Sequence, residues 1–298
     1  MVLPPRLLDA FPALFVLLWS TGFIGAKYGL PYADPLAFLV ARYVLVIAAL
    51  SVLAWAGKAV WETNPKQLFH LMVAGLLLQA TYLGGVFVAI SHGLPAGLTS
   101  LIVGLQPLLT ALFAGILLGE TVRRYQWVGI ATGLLGVILV LAEKAGAGAT
   151  HSFGWEAVIP ALCALLGITF GTLYQKRFCS HFDLRTGSVV QFVPSLLVTG
   201  LFVPVIGEWR IEWTGDFIFA LGWLVIVLSL GAISLLNLLI RHQGATNVTS
   251  LFYLTPAVTT LIAWLLFDEW LTLLQWFGMA LTMLGVWLVR RVPPVVRA

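Results

Sequence analysis

Residues 106–137 read QPLLTALFAGILLGETVRRYQWVGIATGLLGV, and residues 255–286 read TPAVTTLIAWLLFDEWLTLLQWFGMALTMLGV. Pro107, Glu120, Gln126, Trp127, Gly129, Gly136 and Val137 recur as Pro256, Glu269, Gln275, Trp276, Gly278, Gly285 and Val286, always 149 positions on. The same ungapped offset pairs Gly22 with Gly171, Lys27 with Lys176 and Asp34 with Asp183. Since 149 is half of the 298 residues, one register holds from end to end. Internal repetition of this length is read before any local pattern. Two homologous halves are expected, residues 1–146 and 150–292.

Composition says where the halves reside. The chain is 60% hydrophobic and 9% charged, with a mean hydropathy of +1.01. Soluble domains carry about 25% charged residues. Mostly apolar runs of roughly 18 or more residues recur, each long enough for a ~30 Å hydrocarbon core. An all-α polytopic membrane protein is expected, with ten spans near 9–29, 34–56, 67–91, 94–118, 123–142, 155–178, 184–206, 216–240, 245–267 and 271–291. The first is read as a helix rather than a signal peptide, because its apolar run continues past Trp19 with no A-x-A-like site. The net charge of +4 comes from loops, and no basic patch alternates with exposed aromatics, so nucleic acid is not an expected partner. Cys163 and Cys179 sit on or at the end of one apolar segment and read as small packing residues.

The ten spans put twelve Lys/Arg on one side, among them Lys58, Lys66, Arg123, Arg124, Lys176, Arg177 and Arg185. The other side holds three, Lys27, Lys144 and Arg210, beside the acidic group Glu208, Glu212 and Asp216. The basic side is cytoplasmic by the positive-inside rule, which places both termini inside. Five spans per half is an odd number, so the second half enters the membrane inverted. Inverted repeats with a midplane site are the recurring build of secondary transporters. No segment is long enough for a soluble catalytic domain, and no Walker motif, metal-ligand cluster or Ser/His/Asp constellation is present.

Pro107 and Pro256 lie inside apolar spans, where each is expected to kink its helix and free the carbonyl four residues earlier, Val103 or Phe252. Glu120 and Glu269 end their spans at opposite faces, as gate or structural positions. The glycines after them are read as close-packing positions. Arg42 is the one cation well inside a span, and a buried intramembrane arginine is a functional candidate by default. Its partner at the repeat offset is Gln191. Lys27 and Lys176, near span ends, are expected to snorkel. Ser20, Thr21, Gln79, Tyr82, Thr99, Gln106, Thr169, Thr172, Asn237, Thr249 and Tyr253 are further polar residues inside spans, with Trp19 and Phe87 as aromatic neighbours. Together they suggest a neutral polar cavity suited to a small amphipathic solute. No carboxylate falls at a span centre, which argues for uniport or exchange over a central proton relay.

The segments Leu18-Trp19-Ser20 with Phe23 and Lys27, Pro35 leading to Arg42, Gln106-Pro107 with Gly119-Glu120, Gln126-Trp127 with Gly129, and Pro256 through Gly285 together resemble the EamA family of the drug/metabolite transporter superfamily. The resemblance covers nearly the whole chain. It implies ten helices in two inverted five-helix repeats around a central cavity, and export of amino acids and other metabolites. Two positions depart from the pattern: Ser20 stands where Gly often follows the Trp, and Asp268 stands where Gly usually precedes the Glu.

The expected function is therefore an inner-membrane secondary transporter that exports a small metabolite such as an amino acid by alternating access. Trp19, Arg42, Gln79, Tyr82, Gln106, Asn237 and Tyr253 are the candidate substrate-binding residues. Pro107, Glu120, Pro256 and Glu269 are the candidate gate or structural positions. Small solute and lipid bilayer are the expected partners, as a monomer or homodimer, with no metal or other cofactor. A multidrug-efflux carrier is the alternative, which would want a central carboxylate. An enzyme acting on lipid head groups is the weaker rival, with Glu120, Arg123 and Arg124 its one hint.

Overall fold

A computed structural model describes residues 5–118, 124–142, 154–179, 182–232, 235 and 252–290 of the chain. These are helical nearly throughout. The helices are α1 (Pro5–Gly29), α2 (Pro35–Ala56), α3 (Pro65–Ser91), α4 (Ala96–Val103), α5 (Gln106–Leu118) and α6 (Arg124–Ala142). After the mid-chain connection come α7 (Trp155–Phe178), α8 (Leu184–Ile206), α9 (Gly215–Ala232), α10 (Thr255–Phe267) and α11 (Leu273–Arg290). Among the described residues, six helical segments are individually long and apolar enough to cross a bilayer, and there are shorter apolar helices as well. The chain is a polytopic membrane protein. Glu120 and Asn237 lie outside the described residues, and Tyr253 falls in a short 3-10 turn, Phe252–Leu254.

Helix starts follow from local chemistry. Asp34 precedes Pro35, and its carboxylate accepts from the Leu36 and Ala37 amides, while Asp183 accepts from the Arg185 amide. Such caps satisfy amides that have no partner within the helix. Asp34 does a second job at this end. It also accepts from the Glu208 amide at 3.2 Å, so it ties α2 to the turn after α8. An isolated antiparallel bridge between Ala33 and Ile211 sits beside it.

Two helices widen in mid-course. Leu76–Thr81 within α3 and Trp223–Ala232 within α9 are π-helical. In each, a hydroxyl bonds the carbonyl five residues back, Thr81 to Leu76 at 3.1 Å and Ser229 to Leu224 at 3.0 Å. A π turn leaves the regular i→i−4 ladder and is frequent at functional sites.

The span expected at 94–118 is two helices, not one kinked helix. The chain turns at Gly104 and Leu105, and Pro107 is the second residue of α5. At that position the ring has no preceding turn of its own helix to clash with. Pro256 likewise sits in the first turn of α10, behind the 3-10 turn. A Cβ on Gly104 would come within 3.2 Å of the Pro256 ring, so the two breaks touch.

The core lies where α2, α3, α8 and α9 meet. Phe38 is fully buried and packs its ring on Phe87 at 5.2 Å and on Phe217 at 4.8 Å, while Tyr43 packs on Phe192 at 5.5 Å. Lipid is as apolar as these side chains, so close packing rather than water exclusion rewards the arrangement. Small residues set the approach distance. A Cβ at Gly136 would lie 2.5 Å from the Gly278 carbonyl oxygen, and one at Gly285 would lie 2.5 Å from that of Gly129. The crossed pairing of 136 with 278 and 129 with 285 means that α6 and α11 run antiparallel. Cys163 and Cys179 are free thiols, the first exposed and the second buried.

Candidate functional site

Arg42 is 4% exposed on α2, and its Nη2 donates to Ser229 Oγ at 3.2 Å. Its Nε, also buried, has no partner. Ser229 is held by its own hydroxyl proton, which goes to the Leu224 carbonyl, so the oxygen faces Arg42 as an acceptor. The Tyr43 and Tyr82 phenols lie within electrostatic reach of the guanidinium. The Tyr43 hydroxyl donates to the Gln79 carbonyl at 2.8 Å, where the π turn of α3 offers it. Arg42, Tyr82, Gln79 and Ser229 thus gather around two widened helices. Ser229 escapes a reading of the sequence, being one hydroxyl in the apolar run Leu224–Leu230.

Other candidates lie apart from this group. Gln106 donates its amide to Thr172 Oγ1 at 3.0 Å, joining α5 to α7. Trp19 packs edge-on against Phe252 at 5.1 Å and lies 5.5 Å from Phe15, in a separate aromatic cluster. Next to it, Ser20 donates to the Thr255 carbonyl, and Trp223 donates its indole N–H to Thr21 at 2.9 Å. Beside α3, a Cβ added to buried Gly84 would meet nothing within 4 Å. That space lies on a different face of α3 from Tyr82, since residues two apart on a helix do not share a face.

Glu269 is 5% exposed and forms an ion pair with Lys27. One of its oxygens also accepts from the Ala96 amide at 3.4 Å, at the start of α4. Lys27 does not snorkel. Its ammonium lies 4.7 Å from the centre of the Phe267 ring and reaches the carboxylate across 242 positions of sequence. The expected pull toward head groups is outweighed because a buried charge gains more from a partner than from partial hydration. Asp268 directs this contact. It ends α10 in the left-handed conformation, φ 52°, which turns the chain so that the next residue points back into the bundle. Glycine adopts that conformation at no steric cost, which accounts for the glycine usual there. Asp268→Gly is expected to be neutral or to stabilise by up to about 1 kcal/mol, and Asp268→Val to destabilise, read by melting in detergent.

The described residues thus hold one buried, under-partnered cation, Arg42, and, apart from it, a buried ion pair between Lys27 and Glu269. A model of the EamA-like transporter family matches residues 9–142 and 155–291. The chain is 28% identical over 289 residues to the uncharacterized inner membrane transporter YedA of Escherichia coli K12, covering 95% of this chain and 91% of that one. It is 26% identical to a protein of the same organism named "Probable amino-acid metabolite efflux pump", covering 92% of each. A transporter of Bacillus subtilis, YvbV, is 28% identical over 93% of this chain and 89% of its own length. A solved crystal structure, 19% identical, superposes over 96% of each chain with a TM-score of 0.62, which speaks for the fold alone. With a family match over both halves, the chain belongs to the EamA-like transporter family.

Proposed function

We propose that this membrane transporter consists of two inverted five-helix repeats and exports a small metabolite, an amino acid or a close derivative, across the inner membrane by alternating access. The observation that carries the reading is the crossing of α6 and α11. Under the 149-residue offset, Gly136 matches Gly285, Gly129 matches Gly278, and Gly133 matches Thr282. Gly136 meets Gly278, Gly285 meets Gly129, and Thr282 donates to the Gly133 carbonyl at 3.4 Å. Contacts that map onto themselves when the halves are exchanged support a two-fold axis between them. Because the helices are antiparallel, that axis lies across them, in the plane of the membrane they span. The caps at Asp34 and Asp183, the π stretches of α3 and α9, and the breaks at Gly104 and Phe252–Leu254 obey the same offset.

The mechanism follows from how the halves interlock. α1 packs on α9 and α10, and α7 packs on α3, α4 and α5. Each half's first helix therefore belongs to the other half's bundle. Rocking of these mixed bundles opens one face while closing the other, the general form of alternating access in repeat transporters. In this structure Lys27 and Glu269 clasp α1 to the end of α10 at the acidic face. The Lys/Arg bias supports placing that face outside and both termini in the cytoplasm. The amino-acid class takes its support from the name of the efflux-pump relative.

The test is counterflow in proteoliposomes preloaded with amino acids, organic acids or nucleosides, with and without an imposed pH gradient. Saturable exchange of amino acids is expected, unaltered by the gradient. Exchange of another class alone corrects the solute, acceleration by the gradient overturns uniport or exchange, and no flux of any class overturns the carrier reading.

A further inference from the structure

We infer that Arg42, oriented by Ser229 and flanked by Tyr82, is the site that takes the carboxylate of the transported solute. The inference rests on the carrier reading above and adds to it the residue and mode of recognition: the solute's carboxylate is held by a two-pronged guanidinium contact.

The first ground is charge. A guanidinium carries five N–H donors and does not lose its proton. Arg42 spends one on Ser229, and its Nε is buried without a partner. The helices packed on α2 are α3, α8 and α9. No Asp or Glu occurs in α2, α3 or α8, and α9 has only Asp216 in its first turn. The Asp216 oxygens accept from the hydroxyls of Tyr28 and Tyr32 at 2.9 and 3.0 Å. Asp34, at the head of α2, is engaged by the Leu36, Ala37 and Glu208 amides. The protein thus supplies no counter-ion from these helices. An uncompensated buried charge is costly, and membrane proteins retain one where a ligand or pathway requires it.

The second ground is direction. Nε and Nη2 form one edge of the guanidinium plane, the edge that meets both oxygens of a carboxylate in two parallel bonds. Ser229 accepts from Nη2, which has a second proton to give, while Nε on the same edge has no partner.

The third ground is asymmetry between the halves. The position equivalent to Arg42 is Gln191, whose amide donates to Gln175 Oε1 at 3.2 Å. The position equivalent to Gln175 is Ala26, fully buried, so the first half offers Arg42 no matching partner. Ser229 and Tyr82 correspond to Ala80 and Gly231. Three departures from the repeat converge on one spot, where one copy is neutral and self-satisfied and the other cationic and unsatisfied. Packing alone would not ask for that difference.

The experiment is equilibrium binding to the full-length protein in detergent, using each L-amino acid and its carboxamide, which keeps side chain and ammonium but lacks the carboxylate. For any amino acid that binds, the wild type is expected to favour the acid by about 30-fold or more. Arg42→Gln is expected to bind acid and amide alike, and Arg42→Lys to fall between, as a point charge without the fork. Acid and amide binding equally to the wild type overturns the inference, as does an acid preference that survives in a monodisperse Arg42→Gln. If Arg42→Gln does not fold, the wild-type pair and Arg42→Lys decide. Displacement by inorganic phosphate but by no carboxylate also overturns it. Acid-selective binding at Arg42 without counterflow leaves the inference standing and overturns the carrier reading. Counterflow that treats acid and amide alike does the reverse.

Discussion

Lys27→Met is expected to destabilise the protein by about 3 kcal/mol or more, and Glu269→Gln by about 1 kcal/mol or less. The asymmetry comes from burial: the Glu269 side chain is 6% exposed and that of Lys27 is 29% exposed. Without Lys27, a carboxylate is left in the protein with, among the described residues, the Ala96 amide as its remaining donor. Without the Glu269 charge, the ammonium keeps the face of Phe267 and can extend its stem toward water. Lys27→Met/Glu269→Gln should therefore recover most of what Lys27→Met loses, since removing both charges removes the cost of leaving one alone. Melting of the four proteins in one detergent measures this. Equal losses in the two single variants would mean that the pair is solvated and does not clasp the acidic face. Transport should show the clasp directly, with the double variant moving solute while the acidic face fails to close fully.

Gly285→Ala is expected to cost about 1–3 kcal/mol, a large effect for one methyl group. Its Cβ would lie 2.4 Å from the Gly133 nitrogen and 2.5 Å from the Gly129 oxygen. Both are backbone atoms, so no side-chain rotation relieves the overlap and the α6–α11 crossing must open. Gly136→Ala should behave alike at the matching contact. Gly84→Ala is the control, because its Cβ meets nothing within 4 Å, and alanine is favoured over glycine in a helix by about 1 kcal/mol. The expected order of melting temperature is Gly84→Ala at or above wild type, with Gly136→Ala and Gly285→Ala well below. A wild-type melt for Gly285→Ala would overturn the crossing.

How much of this was legible in the sequence varies with the range of the interaction. Apolar length marks helices locally, so the course of α2, α3, α7 and α8 could be read within a few residues. Pro107 signalled a disturbance, but whether a helix kinks or restarts depends on Gly104 fitting against Pro256, 152 positions away. Arg42 stood out because one charge in an apolar run is conspicuous. Ser229 did not, since one hydroxyl there is ordinary until a guanidinium lies beside it. Lys27 looks in the sequence like a snorkelling end charge, because nothing near it announces Glu269. The π turns were also hidden, as no residue type demands them and their i−5 hydroxyl bonds emerge only in the coil of the helix.

The exchange of first helices between the halves also has a consequence for how the protein is made. α1 leaves the ribosome well before its main partners α9 and α10. At roughly 5–20 residues per second, the 242 residues between Lys27 and Glu269 take on the order of 10–50 s to synthesise. For that interval Lys27 has no carboxylate to meet, and the head-group region is the place that tolerates it. The snorkelling lysine of the bare sequence is thus a fair description of the nascent chain. The Lys27 end of α1 stays with the head groups until α10 brings Glu269 to it.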